Sequence, residues 1–344
     1  METINGKIIT ILANFYYVQD SSGKVWECFA RGRLLKEGKL LFVGDDVEIE
    51  LTSTKQGVIV DLLSRKNKLD KPPIANIDQV LIVFSSCDPE FDLYNLDRYL
   101  SFINYELPGV RISICINKID LKKLDIDLIY KNSEYEVIYA SAVNKEGLED
   151  LSKILVSKTT VLTGPSGVGK SSLIKALSPE LDIRIGDLSS INKGKQTTRN
   201  VNLIGVNLNN QIGFLVDTPG FSQIEFASMD ESRILDTFNE LNDIGCEFAN
   251  CLHLGEEGCN LETAKIKNNI VDSRIDSYLA IISEAREEIS YGSKIESKSK
   301  ATGGREKEKN KHRPKIDLEQ RSKSRKKEKQ ELLKFDEIDD KNED

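Results

Sequence analysis

The sequence predicts a multidomain α/β protein. It comprises an N-terminal β-barrel of the OB type, a doubly wound phosphate-loop domain and a C-terminal helical zinc-binding domain. Three observations carry that prediction. The first 65 or so residues hold five short β-rich runs separated by turns. Residues from about 75 to 225 alternate apolar strands with helical stretches around the run GPSGVGKSS, and residues 246–259 gather three cysteines and a histidine. The chain accordingly divides into a barrel over 1–65, a phosphate-loop domain over 66–225, a helical domain over 226–292 and a charged tail over 293–344.

Length and composition agree. A chain of 344 residues exceeds one ordinary core, and 39% hydrophobic residues suffice to fill two or three. No run approaches the roughly 18 apolar residues of a membrane span. The apolar stretch 8–18 follows an acidic, mixed start without a small-residue cleavage site, so it does not read as a signal peptide. Six cysteines are too sparse for a disulfide framework. A cytoplasmic protein that does not enter membranes is expected.

The barrel rests on Ile8–Leu12, Tyr16–Val18, Val25–Ala30, Asp46–Leu51 and Val58–Leu62, with turn sequences such as Asp20-Ser21-Ser22-Gly23 and Gly44-Asp45 between them. Five short strands in about 60 residues suit a small closed barrel. In the next domain the strand candidates are Gln79–Phe84, Ile112–Ile116, Glu136–Tyr139, Thr159–Leu162 and Ile212–Val216. Several are apolar almost continuously, as parallel strands buried on both faces must be. Helices are expected at Leu93–Glu106, Gly147–Leu155 and Lys170–Leu177, giving a doubly wound sheet. A longer helix is expected at about Glu262–Ile289. Beyond it apolar residues are scarce, and disorder or folding on binding is expected.

The net charge of −8 hides a segregation. Between Lys298 and Lys334 there are 15 Lys and Arg against 6 Asp and Glu, whereas the last ten residues carry six acids opposed only by Lys341. A basic stretch of this kind can contact RNA through salt-sensitive phosphate contacts, or can simply be solvated.

Gly164-Pro165-Ser166-Gly167-Val168-Gly169-Lys170-Ser171, continued by Ser172, matches the phosphate loop G-x-x-x-x-G-K-[ST] between a strand and a helix. The glycines let successive N–H groups turn toward phosphate oxygens, and the helix N-terminus adds a favourable dipole. Lys170 would reach the β- and γ-phosphates and Ser171 would ligate Mg²⁺. Asp217-Thr218-Pro219-Gly220 closes a strand some 50 residues later; Asp217 suits Mg²⁺, and Gly220 can present its N–H to the γ-phosphate.

Asn117-Lys118-Ile119-Asp120 follows the strand Ile112–Ile116. The Asp120 carboxylate can accept from guanine N1–H and N2–H together, a pairing that adenine does not offer. Asn117 braces the loop and the Lys118 stem can lie across the base. Ser141-Ala142 is a weaker match to the loop whose backbone N–H meets guanine O6. In ordinary GTPases the phosphate loop comes first, but here both base-reading motifs precede it. The domain is therefore read as circularly permuted, and the segment behind Gly220 leads directly into the C-terminal domain.

Cys246-x4-Cys251-x-His253-x5-Cys259 supplies three thiolates and an imidazole, the four ligands of a closed, structural Zn²⁺ site. The other cysteines, Cys28, Cys87 and Cys115, read as small buried hydrophobes.

Together GPSGVGKSSL, DTPGFS, an NKID placed before the phosphate loop and the C-x4-C-x-H-x5-C site resemble the RsgA family of circularly permuted, ribosome-associated GTPases, over roughly residues 1–290. The resemblance implies GTP hydrolysis stimulated by the small (30S) ribosomal subunit and its rRNA, a role late in that subunit's maturation, and a monomer. It also marks a departure. The family carries a histidine before its paired threonines, where this chain has Gln196 ahead of Thr197 and Thr198, one of which would meet Mg²⁺ and the γ-phosphate. A glutamine can orient water but cannot take its proton at neutral pH, and the position after DTPG is the apolar Phe221. Slow turnover by the isolated chain is expected. Two further readings stay open: a GTP-locked binding protein without useful turnover, and a redox-sensitive zinc module.

Overall fold

A computed structural model of the chain describes residues 3–179 apart from 37 and 39, and residues 201–296 apart from 209–210, 218–223, 227–228 and 243. Gln196, Thr197, Thr198 and Gly220 lie outside the described residues, as does Phe221.

The N-terminal strands are β1 (Thr3–Leu12), β2 (Phe15–Asp20), β3 (Val25–Ala30), β4 (Asp46–Leu51) and β5 (Gln56–Leu62), with a short helix α1 (Gly32–Lys36) between β3 and β4. They close in the order β1-β2-β3-β5-β4, so no strand edge is left unpaired. Alternate residues point inward, and Ile8, Val18, Trp26, Cys28, Val47, Ile49 and Ile59 fill the barrel. A register shift between Ile8 and Thr10 bends β1, and Thr10 there bridges to Asn202 of the following domain. A two-stranded ribbon, β6 (Lys68–Asp70) with β7 (Pro73–Ala75), connects barrel to sheet and was not foreseen.

The sheet comprises β8 (Gln79–Ser85), β9 (Arg111–Asn117), β10 (Glu136–Tyr139), β11 (Thr159–Thr163), β12 (Leu203–Leu208) and β13 (Gln211–Asp217). Its order is β10-β9-β8-β11-β13-β12. All pairings are parallel except β12 with β13, an antiparallel edge hairpin of which only β13 was anticipated. Helices α2 (Leu93–Glu106), α3 (Asp127–Tyr130), α4 (Leu148–Leu155) and α5 (Lys170–Leu177) connect the strands. The double winding is visible within β8 alone. Val80, Ile82 and Phe84 join the core formed with α2, whereas Leu81 and Val83 join the core formed with α4 and α5.

The C-terminal part holds α6 (Glu231–Asp236), a 3₁₀ turn (Asn239–Leu241), α7 (Leu261–Asn268) and α8 (Asp272–Glu296). The single long helix expected over 262–289 is therefore two. Asn269, at a φ of 50°, adopts the left-handed conformation that ends α7, and α8 restarts three residues later.

Helix α2 is where these parts meet. Asp97 is fully buried and pairs with Arg274 of α8, which also pairs with Glu240 of the 3₁₀ turn and is stacked 4.6 Å from the Phe238 ring. Tyr130 donates to the same Asp97 carboxylate at 2.7 Å. Burial holds the Asp97 carboxyl above its ordinary range; it opposes the Arg274 charge as well, but the two carboxylates keep that guanidinium protonated. Ser101 meets Thr237 at 2.7 Å, and the Tyr105 hydroxyl accepts from the backbone amide of Asp230, just before α6, at 3.2 Å.

Candidate functional site

The strands β8, β9, β11 and β13 end at the same edge of the sheet, the edge at which open α/β sheets bind their ligands. Thr163 is in register with Ile82, Asn117 with Ser85 and Asp217 with Leu162, so the three predicted motifs leave the sheet side by side.

The phosphate loop joins β11 to α5. Gly164, Gly167 and Gly169 have φ values of 134°, 82° and 95°. Two of them are also crowded: a Cβ on Gly164 would lie 2.0 Å from the Val83 carbonyl oxygen, and one on Gly169 would lie 2.4 Å from Asn117 Nδ2. No side chain fits there, and the loop keeps a cradle of backbone N–H groups. Lys170 opens α5 and its ammonium donates to the carbonyls of Gly164 and Pro165 at 2.7 and 2.8 Å. The lysine thus spans the loop from its first turn, where it could exchange carbonyls for phosphate oxygens. Ser171 and Ser172 follow in the first turn of α5, with Ser166 exposed toward the rim and Val168 buried beneath.

Asn117 braces more than its own loop. Its Nδ2 donates to the Val168 carbonyl at 2.9 Å, and its Oδ1 accepts from the Ala142 amide at 3.3 Å. One side chain therefore joins the NKID loop, the phosphate loop and the Ser141-Ala142 loop. Ser141 Oγ donates to Asp120 Oδ1 while accepting from the amides of Val143 and Asn144. That contact was not anticipated, and it aims the carboxylate predicted to read the base. Ile119 donates to the Ala140 carbonyl at 3.3 Å, and Lys118 stands in the left-handed region at a φ of 65° with its ammonium on the Asp88 carbonyl. A cleft of about 550 Å³ lined by Tyr105, Arg111, Tyr135 and Arg233 lies at the opposite, amino-terminal edge, where β9 begins, away from this site.

The second predicted site is also assembled. The ligand atoms of Cys246, Cys251, His253 and Cys259 all lie within 4.8 Å of one another. His253 Nδ1 is 3.5, 3.6 and 3.5 Å from the sulfurs of Cys246, Cys251 and Cys259. Tetrahedral zinc with ordinary Zn–S and Zn–N bonds requires an N···S edge of about 3.6 Å, so the donor set fits that ion. His253 Nε2 faces the Leu241 carbonyl at 3.1 Å, which leaves Nδ1 for the metal. Burial, with the neighbouring thiols, pushes the Cys251 thiol up to about 12, so a thiolate there calls for a cation beside it. The remaining cysteines divide. Cys28 and Cys115 are fully buried, with thiols raised by burial to about 11 and about 12, while Cys87 is partly exposed at the end of β8.

Comparison with known proteins gives the same architecture a lineage. The RsgA GTPase family model matches residues 62–227 and the RsgA N-terminal domain model matches residues 5–59. The small ribosomal subunit biogenesis GTPase RsgA of Alkaliphilus metalliredigens is 40% identical over 295 residues, covering 83% of this chain and 99% of that protein. The chain belongs to the RsgA GTPase family. The RsgA of Geobacillus thermodenitrificans is 38% identical over 292 residues, covering 82% of this chain and 97% of that protein. Among solved structures, YjeQ from Thermotoga maritima superposes with a TM-score of 0.71 at 30% identity, covering 84% of this chain and 99% of that one. YloQ, described as a circularly permuted GTPase, gives 0.69 at 33% identity, covering 83% and 96%. As an RsgA-family member the chain is a GTPase of permuted topology, with the OB-type barrel and the Cys/His cluster expected of it. Among the described residues no helix is long and apolar enough to cross a membrane.

Two charged clusters also escaped sequence reasoning. The Asp97–Arg274–Glu240 cluster leaves one trace, since Arg274 shares a helix face with Tyr278, Ile281 and Ala285, all fully buried. Arg98 leaves none, because its partners are 126 and 186 positions away.

Proposed function

We propose that this chain is a GTP-timed factor for the small ribosomal subunit. It binds the 30S particle and its rRNA late in maturation, and hydrolysis of GTP to GDP and phosphate releases it. The observation that carries this reading is the joint bracing of three motifs by Asn117, which makes base recognition and phosphate binding one rigid site. The names of the relatives at 40% and 38% identity supply the ribosomal partner.

In this reading Asp120 pairs with the guanine edge, oriented by Ser141, and Asn117, Lys118, Ile119 and Ala142 shape the base pocket. The backbone of Gly164, Pro165, Ser166, Gly167, Val168 and Gly169 holds the phosphates, with Lys170, Ser171 and Ser172 at the helix N-terminus. Ser171 and Asp217 would hold Mg²⁺, which supplies neutralising charge at the β- and γ-oxygens. Thr197 or Thr198 and Gly220 sense the γ-phosphate, and Gln196 orients the attacking water in the ribosome-bound state. Zinc held by Cys246, Cys251, His253 and Cys259 is structural, because four protein ligands leave no open position. The domain division proposed is 1–65, 66–225, 226–292 and a tail over 293–344; the working form is a cytoplasmic monomer.

The test is GTP turnover by the purified chain alone, with 30S subunits, and with 50S subunits as control. A large rise specific to 30S is expected. Unchanged turnover with tight GTP binding intact would replace the timer by a conformational lock.

A further inference from the structure

We infer that Arg98 is the positioning residue that ties the chain leaving the DTPG motif to helix α8, so that movement of that segment on GTP binding is passed to the zinc domain through one guanidinium. The inference rests on the timer reading above and deepens it.

Ile224 follows Gly220 by four positions. Its carbonyl accepts from Arg98 Nη2 at 2.7 Å. The same guanidinium forks onto Glu284 of α8, with Nη2 to Oε1 at 2.9 Å and Nη1 on Oε2. Three stretches far apart in sequence thus converge on one side chain: helix α2, the segment behind the γ-phosphate sensor, and α8. A planar fork can meet both oxygens of a carboxylate and a carbonyl together, with its donors fixed in one plane. The rings of Phe226 and Tyr94, 5.4 and 5.7 Å from the guanidinium carbon, flank the fork.

The adjacent residue shows what Arg98 is suited to. Asp97 holds Arg274 where both side chains are 1% exposed or less, so that pair has no water to fall back on and acts as a fixed weld. The Arg98 and Glu284 side chains are 21% and 25% exposed. Water can replace either partner, so this contact can open and re-form without stranding a buried charge. A weld beside an openable strut, on one turn of α2, is the arrangement of a pivot with a latch. When Ile224 shifts, Arg98 must follow or release, and Glu284 feels either outcome.

The experiment uses the full chain with Arg98→Met, which keeps the apolar stem, and Glu284→Gln, which keeps the shape of the acceptor. Affinity for 30S subunits is measured with GDP and with a non-hydrolysable GTP analogue, together with GDP affinity and zinc content. Both variants are expected to lower the ratio of GTP-form to GDP-form affinity about fivefold or more. GDP affinity and zinc content should stay within about twofold. A merely structural Arg98 would weaken both forms equally and leave the ratio intact, which would overturn the inference. If Arg98→Met does not fold, Glu284→Gln alone decides. A wild-type chain with no difference between its two forms would instead remove the timer reading, and this inference with it.

Discussion

Asn117 and Val168, 51 positions apart, are joined by a 2.9 Å hydrogen bond from the side-chain amide of one to the backbone carbonyl of the other. The order of motifs along the chain is permuted, yet this contact needs only that β9 and β11 end at the same edge. Each is paired with β8 between them, so cutting and rejoining the chain elsewhere leaves the relationship untouched. Asn117→Asp would set a carboxylate oxygen against the Val168 carbonyl, and two acceptors cannot share a hydrogen. Loss of a buried bond with an unsatisfied acceptor costs about 1–3 kcal/mol. Affinity for GDP and for GTP should fall together by roughly 5- to 150-fold, read by titration with a fluorescent nucleotide. A fall in one nucleotide only would contradict a bracing role.

Base identity should be separable from binding strength at Asp120. Its carboxylate offers two acceptors to the two donors of guanine, and Ser141 Oγ already occupies part of Oδ1. An asparagine there keeps one acceptor for N1–H and turns the other arm into a donor, which suits the 2-carbonyl of xanthine. Asp120→Asn should weaken GDP binding by about 2–3 kcal/mol, a charge-assisted pair being lost. Binding of XDP should strengthen in the same variant. Competition between the two diphosphates gives the result directly, and unchanged preference for GDP would move base recognition away from Asp120.

What was legible beforehand and what was not follow from the range of the interactions. The phosphate loop, the NKID loop and the Cys/His set are contiguous or nearly so, and their chemistry dictates spacing. The alternating cores of β8 follow from period-two patterning between two apolar faces. By contrast the break at Asn269 is one residue choosing the left-handed region inside an otherwise helical pattern. Strand β12 forms because β13 offers it a partner edge. Asp97 and Arg98 look like ordinary charges of an amphipathic helix until α8 returns from far along the chain to pair with both.

The barrel carries its own optical probe, because Trp26 is the sole tryptophan. Its indole donates to Asp20 at 2.8 Å, and the same carboxylate accepts from Ser22 Oγ and from the amides of Ser22 and Lys24. Burial works to raise the Asp20 carboxyl, but these hydrogen bonds outweigh it and hold the group below its ordinary value. A carboxylate with a lowered folded value stabilises the fold above the unfolded value near 4, and that stability is lost as pH falls through the folded value. Asp20→Ala should therefore cost about 1 kcal/mol at pH 7, solvent screening allowed for. The difference between variant and wild type should shrink toward zero below about pH 3. Denaturant titrations followed by Trp26 fluorescence at both pH values test this; a gap that persists in acid would show that Asp20 acts by packing alone.

The Cys/His site permits a sharper separation of domains. Residues 242–260 contain no helix or strand among those described, and their order rests on a few contacts around the donor set. The Asn260 amide faces Cys246 Sγ at 3.3 Å, the Glu256 carboxylate accepts from Leu252 and Leu254 at 3.0 and 2.6 Å, and Tyr278 donates to the Leu252 carbonyl. A structural zinc contributes an apparent ~10–16 kcal/mol in small domains, far more than these contacts supply. Cys259→Ser, or chelation of the wild type, should cut bound zinc from about one per chain to near zero and open 242–260 to protease. Among the described residues the nucleotide site shares no hydrogen bond with this cluster, its braces being Asn117 and Ser141. GDP affinity should accordingly survive metal loss, while binding to 30S subunits should not. Equal protease resistance with and without metal would mean that the loop is held by protein contacts, and that the four ligands do no folding work.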